Sequence, residues 1–143
     1  MAVKSKTNYI YAVGRRKTAT ARVRLYKAAS VPGVDGNHQL VVGGMAAELY
    51  FPGELAKGSY RAPFTVTQTL SKLSASVVVQ GSGKAGQLGA VVHGLSRALI
   101  AFDESLRPAL KSAGLLTRDS RAKERRKAGK GGKARRSKQS PKR

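Results

Sequence analysis

This sequence predicts a mixed α/β domain with a long basic C-terminal extension, and three observations support that prediction. From Ala75 to Phe102 the chain reads ASVVVQGSGKAGQLGAVVHGLSRALIAF: a β-branched strand, a glycine loop and an amphipathic helix in immediate succession. Around Thr18 to Tyr26, apolar Ala19, Ala21, Val23 and Leu25 alternate with Thr18, Thr20, Arg22, Arg24 and Tyr26. That is the period of a strand with one apolar and one basic face. Beyond Thr117 the composition changes abruptly, residues 118–143 holding 13 Lys or Arg and 2 acids in 26 positions with nothing more apolar than alanine and proline. The chain therefore divides into an N-terminal arm, 1–7, a globular domain, 8–117, and a basic tail, 118–143.

Each element follows from local pattern. YIYAVG from Tyr9 reads as a first strand, Arg15-Arg16-Lys17 as a basic turn, and the alternating run as a second strand reaching about Lys27. Residues 28–37, AASVPGVDGN, are punctuated by Pro32, Gly33 and Gly36 and form a loop before a short strand from His38 to Val42. Gly43-Gly44 turns the chain into a brief helix around Met45 to Tyr50, which Phe51-Pro52-Gly53 stops. Val66, Leu70 and Leu73 have helical spacing, so a helix is predicted from Pro63 to Leu73 despite three threonines of low propensity. Val77, Val78 and Val79 fill a sheet interior. Leu88, Val91, Val92, Leu95, Leu99 and Phe102 then share one face of the core helix. Its other face, Gly86, Ala90, His93 and Arg97, is small near the loop and polar further on, with room for something to lie against it. A last helix spans Ser105 to Ala113, with Pro108 in its first turn and Gly114 ending it.

Charge is the strongest global feature. Lys and Arg total 28 against 7 Asp and Glu, a formal net of +21, which self-repels until a polyanion neutralises it. The tail is predicted to be disordered when free, because ordering costs about 1 to 2 kcal/mol of backbone entropy per residue and the tail has almost no apolar surface to bury in return. Arg118 to Lys127 suits a helix in the bound state, while Gly129, Gly131, Gly132 and Pro141 keep the remainder extended. With no cysteine, disulfides and thiolate metal sites are excluded, and the isolated His38 and His93 make no metal site. No apolar run approaches membrane-spanning length, MAVKSKTN has no signal-peptide core, and the tail lacks Leu, Phe or Trp for a membrane surface. A soluble interior compartment and no membrane partner are expected.

Gly81-Ser82-Gly83-Lys84-Ala85-Gly86 matches G-x-G-x-x-G after a strand and before a helix. A dinucleotide fold then requires a second parallel strand ending in an acid. Here Asp103 and Glu104 stand at the helix end, followed by SLRPALKSAG, another helix. A phosphate-binding Walker loop fails as well, with Gln87 and Leu88 where Lys and Ser or Thr belong. What remains is backbone N–H groups at a helix N-terminus with Lys84 beside them, suited to a phosphate of a nucleic-acid backbone. Seven dispersed carboxylates offer no acid–base pair, and His93 beside Arg97 has no acid to orient it, which favours packing or RNA contact over catalysis. No catalytic residue, metal, cofactor or small-molecule substrate is expected. A nucleic-acid reading takes in Arg15, Arg16, Lys17, Arg22, Arg24, Gly81, Gly83, Lys84, Gly86, Gln87, His93 and Arg97, and in the tail Arg118, Arg121, Arg125, Arg126, Lys127, Lys133, Arg135 and Arg136. A DNA compactor of linker-histone type also pairs a small domain with a basic tail, but strands and a glycine loop stand here in place of a recognition helix. A nucleotide-binding enzyme using the glycine loop is the alternative from another class.

Four segments carry a resemblance covering nearly the whole chain: YAVGRRKTATARV from Tyr11; GSGKAGQLGAVVHGLSRAL from Gly81; DESL from Asp103 with AGLLTRDSR from Ala113; and the tail with Glu124 to Lys127, Lys133 to Arg136 and terminal Lys142-Arg143. In that order they resemble the bacterial-type small-subunit ribosomal protein S nine family. The resemblance implies an α/β two-layer sandwich, a mainly antiparallel sheet with helices on one face, like the second domain of small-subunit protein S five. It also implies a structural protein of the subunit head that binds ribosomal RNA beside neighbouring head proteins. Its tail would reach the peptidyl-tRNA site, where Lys142 and Arg143 approach the tRNA. The implied location is the small subunit of a cytoplasmic ribosome, with an organellar ribosome left open. The chain departs from the family pattern at Ser140, followed by Pro141, and at Ala128, where aromatic residues are usual, and its 28–37 loop is longer than in many members.

Overall fold

Alternation along two neighbouring segments builds the first hairpin. β1 (Tyr9–Arg16) and β2 (Ala19–Tyr26) pair antiparallel across a two-residue turn, in the register Arg16↔Ala19, Gly14↔Ala21, Ala12↔Val23 and Ile10↔Leu25. The computed structural model describes residues 8–32 and 38–128. After β2 come β3 (Leu40–Val42), β4 (Met45–Ala46), α1 (Ala47–Tyr50), α2 (Glu54–Val66), β5 (Ser74–Gln80), α3 (Lys84–Phe102), a 3₁₀ turn at Glu104–Leu106 and α4 (Arg107–Ser112). The sheet order is β1-β2-β5-β3-β4. β5 slots between β2 and β3, antiparallel to the first and parallel to the second, and every other pairing is antiparallel.

One face of this sheet makes the core. Ala19, Ala21, Val23 and Leu25 of β2 and Ala75 and Val77 of β5 are buried with Ala90, Val91, Leu95, Ala98 and Leu99 of α3 and Tyr60 and Phe64 of α2. α3 packs on β1, β2 and β5, and α2 packs on α3, so α3 is covered on two sides. This revises the division of its faces. The stripe of large residues does not alone define the buried side: Gly86, Ala90 and Gly94 are buried too, because the hairpin is what lies against the small residues. A Cβ added at Gly14 of β1 would stand 2.0 Å from the Ala90 carbonyl oxygen and 2.2 Å from the Gly94 nitrogen. Backbone meets backbone there, and only hydrogen atoms fit between.

The second predicted helix is displaced. It lies at Glu54–Val66 rather than Pro63–Leu73, so Pro63 sits in its last turn, buried, and not at its start. The threonines that lower helix propensity act as its terminus. Thr67 Oγ1 donates to the Pro63 carbonyl at 2.8 Å and lies 2.8 Å from Thr69 Oγ1, while Gln68 adopts a left-handed φ of 54°, which ends a helix. Tyr60, Pro63 and Phe64 face the core, Tyr60 and Phe64 as an i, i+4 pair of which the sequence reading placed Phe64 inside its helix and left Tyr60 without an element. Smaller differences follow the same logic. Met45 and Ala46 pair with β3 before the brief helix begins, and the stretch from Ser105 enters α4 through the 3₁₀ turn, capped by Asp103 accepting from the Ser105 N–H at 2.9 Å.

Candidate nucleic-acid interface

Among the described residues α2 and α3 pack on the core side of the sheet, and the charge of its second face follows from strand alternation. Arg22 and Arg24 of β2 are exposed there, opposite Val13 and Tyr11 of β1 and opposite Val78 and Ser76 of β5. Arg15 is exposed on the same side, and Lys17 is exposed at the hairpin turn with φ 51°. No Asp or Glu occurs in β1, β2 or β5. The arginines of this face therefore have no strand carboxylate to neutralise them, and an incoming polyanion meets their full charge.

Arg16 points the other way, towards α3 and the root of the tail. Its Nη1 donates to the Asp119 carbonyl at 3.2 Å and the Arg121 carbonyl at 2.8 Å, and its Nη2 lies 2.9 Å from Asp119 Oδ2. Gly89 leaves room for the Arg16 stem to cross α3, since a Cβ there would fall 3.0 Å from Arg16 Cγ. Arg121 closes the same cluster, its backbone N–H donating to Asp119 Oδ1 at 2.9 Å and its Nη2 to Oδ2 at 2.7 Å. Asp119 is thereby held far below the usual carboxylate range, chiefly by hydrogen bonds from Arg121, with the Arg16 charge adding to them. The start of the tail is clasped to the hairpin, a role that charge counting alone did not assign to Asp119.

His93 and Arg97 serve the same junction. The Arg15 backbone N–H donates to His93 Nδ1 at 3.3 Å, and Arg97 Nη1 donates to the Val13 carbonyl. Burial, then the Arg97 charge, pushes His93 below its ordinary value, so its neutral ring is favoured. Both residues thus fasten β1 to α3, and Arg97 also stays exposed.

The glycine loop is engaged internally. Gly81 takes φ 80°, and a Cβ there would stand 2.4 Å from the Thr18 carbonyl oxygen, so the loop is folded hard against the hairpin turn. A Cβ at Gly86 would meet Ser82 Oγ at 2.5 Å, whereas nothing lies within 4 Å of one at Gly83. The Lys84 ammonium sits 3.2 Å from the centre of the Tyr50 ring, a cation–π contact. Gln87 donates to the Gly81 carbonyl at 3.2 Å and accepts from the Tyr50 hydroxyl at 2.9 Å. Lys84 of the motif and Gln87 just after it thus tie α1 and the loop to α3.

Arg118, Arg125, Arg126 and Lys127 are exposed, as is Arg121 outside its pairing with Asp119. Lys133, Arg135, Arg136, Lys142 and Arg143 lie outside the described residues. Among the described residues no group of three or more His, Cys, Asp or Glu is placed to hold a metal, and no helix is long and apolar enough to cross a membrane. Sequence reasoning missed Tyr9 and Tyr11 on the basic face, although the alternation in YIYAVG places both on the side of Arg15. It also missed Gly14, Gly89 and Gly94, whose value lies in contacts between segments remote in sequence.

Comparison with known proteins adds an independent line. The family model described as ribosomal protein S9/S16 matches residues 14–143. The chain is 46% identical over 125 residues, covering 87% of it and 90% of the relative, to the small ribosomal subunit protein uS9 of Maridesulfovibrio salexigens. It is 46% identical over 119 residues, covering 83% of it and 85% of the relative, to the small ribosomal subunit protein uS9 of Desulfovibrio desulfuricans.

Proposed function

This chain belongs to the ribosomal protein S9/S16 family, and from that premise we propose that it is a non-catalytic structural constituent of the small ribosomal subunit in the cytoplasm, binding ribosomal RNA of the subunit head. The observation that carries the RNA reading is the open sheet face, where Arg15, Arg22 and Arg24 stand exposed on strands without a single acid. Phosphates meet exposed guanidinium groups there that form no ion pair among the described residues, and the clasp of Arg16 on residues 119 and 121 sets where the basic tail leaves the body. In this reading the tail runs on through RNA to the peptidyl-tRNA site, with Lys142 and Arg143 as its tip beside the tRNA and neighbouring head proteins around the body. The glycine loop speaks against the nucleotide-enzyme alternative, since Lys84 and Gln87 are already engaged with Tyr50 and Gly81.

Two measurements test this. The protein should co-sediment with the small subunit, and free protein that binds ATP or NAD tightly at moderate salt without preference for RNA would overturn the assignment. Deleting Lys142 and Arg143 should leave assembly intact and weaken tRNA binding at the peptidyl site by about 1 to 3 kcal/mol, the range for charged hydrogen bonds. Normal tRNA affinity on normally assembled subunits would leave the tail as an RNA-packing element alone.

A further inference from the structure

The open sheet face presents an aromatic ring among its cations. Alternation along β1 puts Tyr9, Tyr11, Val13 and Arg15 on this side, and register sets Tyr11 opposite Arg24 and Val13 opposite Arg22. Tyr9 is already in use: its ring is edge-on to Tyr26 at 6.0 Å between centroids, with the Arg24 guanidinium 5.2 Å from its centre. Tyr11 differs, being 54% exposed and, among the described residues, without a ring, ion-pair or hydrogen-bond partner. Beside it, Val13, Arg15, Thr20, Arg22 and Gln80 line a shallow cleft of about 500 Å³. A flat platform with one free ring, cations within a strand or two of it, and amide and hydroxyl groups at its edge is an unusual use of surface for a side chain as apolar as tyrosine.

We propose that this face seats unpaired ribonucleotides, one base stacking on Tyr11 while flanking phosphates meet Arg15 and Arg22; this deepens the RNA-binding reading above and rests on it. Duplex RNA has its bases stacked internally and offers a protein only backbone and groove edges, so it has no free base to lay on the ring. Unpaired nucleotides expose their faces, and base–aromatic stacking next to cations is how sheet surfaces hold single strands. The lack of acids on β1, β2 and β5 fits a polyanion better than a protein surface, which would bring acids and bases of both signs.

The experiment uses the full chain and two probes, a mixed-sequence single-stranded RNA 12-mer and a blunt-ended, fully paired RNA duplex of the same length, which has no loop. Replacing Tyr11→Ala should weaken single-strand binding by about 5- to 150-fold, the loss expected from one stacked base, with the duplex little affected. Tyr11→Phe should retain the affinity. Arg22→Gln should instead lower the slope of log affinity on log salt by about 0.7, one single-strand phosphate. Equal losses on both probes, no loss with Tyr11→Ala, or a Tyr11→Phe variant as weak as Tyr11→Ala would overturn the stacking site. A benzoylphenylalanine at position 11 in assembled subunits should cross-link to RNA, and a protein adduct would give the face to a protein partner. Wild-type protein that fails to co-sediment with subunits defeats the broader function. Wild type that assembles while Tyr11→Ala binds normally defeats only this site.

Discussion

Replacing Gly14→Ala tests the closest glycine packing among the described residues. The added Cβ would lie 2.0 Å from the Ala90 carbonyl oxygen and 2.2 Å from the Gly94 nitrogen, where ordinary contact begins at 3.4 Å. α3 and β1 would have to part by roughly 1.4 Å, the difference between 3.4 and 2.0 Å. Both obstructing atoms are backbone, so no rotamer change relieves them, and α3 is also fixed from the sheet by Val23, whose Cγ2 would be 2.7 Å from a Cβ at Gly94. Overpacking of this kind costs about 1 to 3 kcal/mol, and rigid surroundings put this site at the upper end, about 3 kcal/mol. With a urea m-value of about 2 kcal/mol/M, the unfolding midpoint should fall by about 1.5 M with m unchanged. Gly83→Ala is the control: nothing lies within 4 Å of its Cβ, so it should lose no more than about 1 kcal/mol, the cost of a poorer N-cap on α3. Equal midpoints for Gly14→Ala and wild type would refute the claim that the small-residue face of α3 sets its distance from the hairpin.

Three further outcomes are expected. If about 6 to 10 phosphates are neutralised, affinity for isolated RNA should drop about 10³- to 10⁵-fold between 50 and 200 mM salt, and a nearly flat response would contradict the electrostatic reading. Removing the clasp with Arg16→Gln or Asp119→Asn should lower the hydrogen-exchange protection of the Arg121 amide, whereas wild-type protection should stay level from about pH 5 to 8, because the Asp119 carboxyl is held well below its ordinary 3.8 and protonates only in stronger acid; unchanged protection in both variants would dismiss the clasp. His93 is depressed from 6.5 by burial and by Arg97, so its contribution to stability is full above the unfolded value and is lost as pH falls through the folded one. The wild-type urea midpoint should therefore fall more between about pH 7.5 and 5.5 than that of His93→Gln, which retains an acceptor for the Arg15 N–H, and parallel curves would show the histidine to be uncoupled from folding.

What the sequence determined by itself was whatever depends on local period and composition. The alternation of Ala19 to Tyr26 placed Arg22 and Arg24 on one face before any partner strand was known, and the Val77 to Val79 run and the Leu88 to Phe102 spacing located β5 and α3. Spacing misled at α2, because Val66, Leu70 and Leu73 recur at helical intervals, and only burial of Tyr60 and Phe64 in the core, with α2 packed on α3, pulled the helix earlier. Tertiary structure alone decided which glycines matter. Gly81, Gly83 and Gly86 look equivalent in the motif, yet Gly81 abuts Thr18 while nothing approaches Gly83, and the tightest glycine site among the described residues, Gly14 against Ala90 and Gly94, lies outside the glycine loop. Tertiary structure also assigned Arg16 to Asp119 and His93 to the Arg15 amide, where the sequence had offered Arg16 as an RNA contact and left His93 between packing and RNA contact. The physical reason is range: periodicity is set by neighbours a few residues away, whereas a missing Cβ or a paired guanidinium acquires its meaning from an atom some eighty or a hundred residues along the chain, as with Arg16 and Asp119 at a separation of 103.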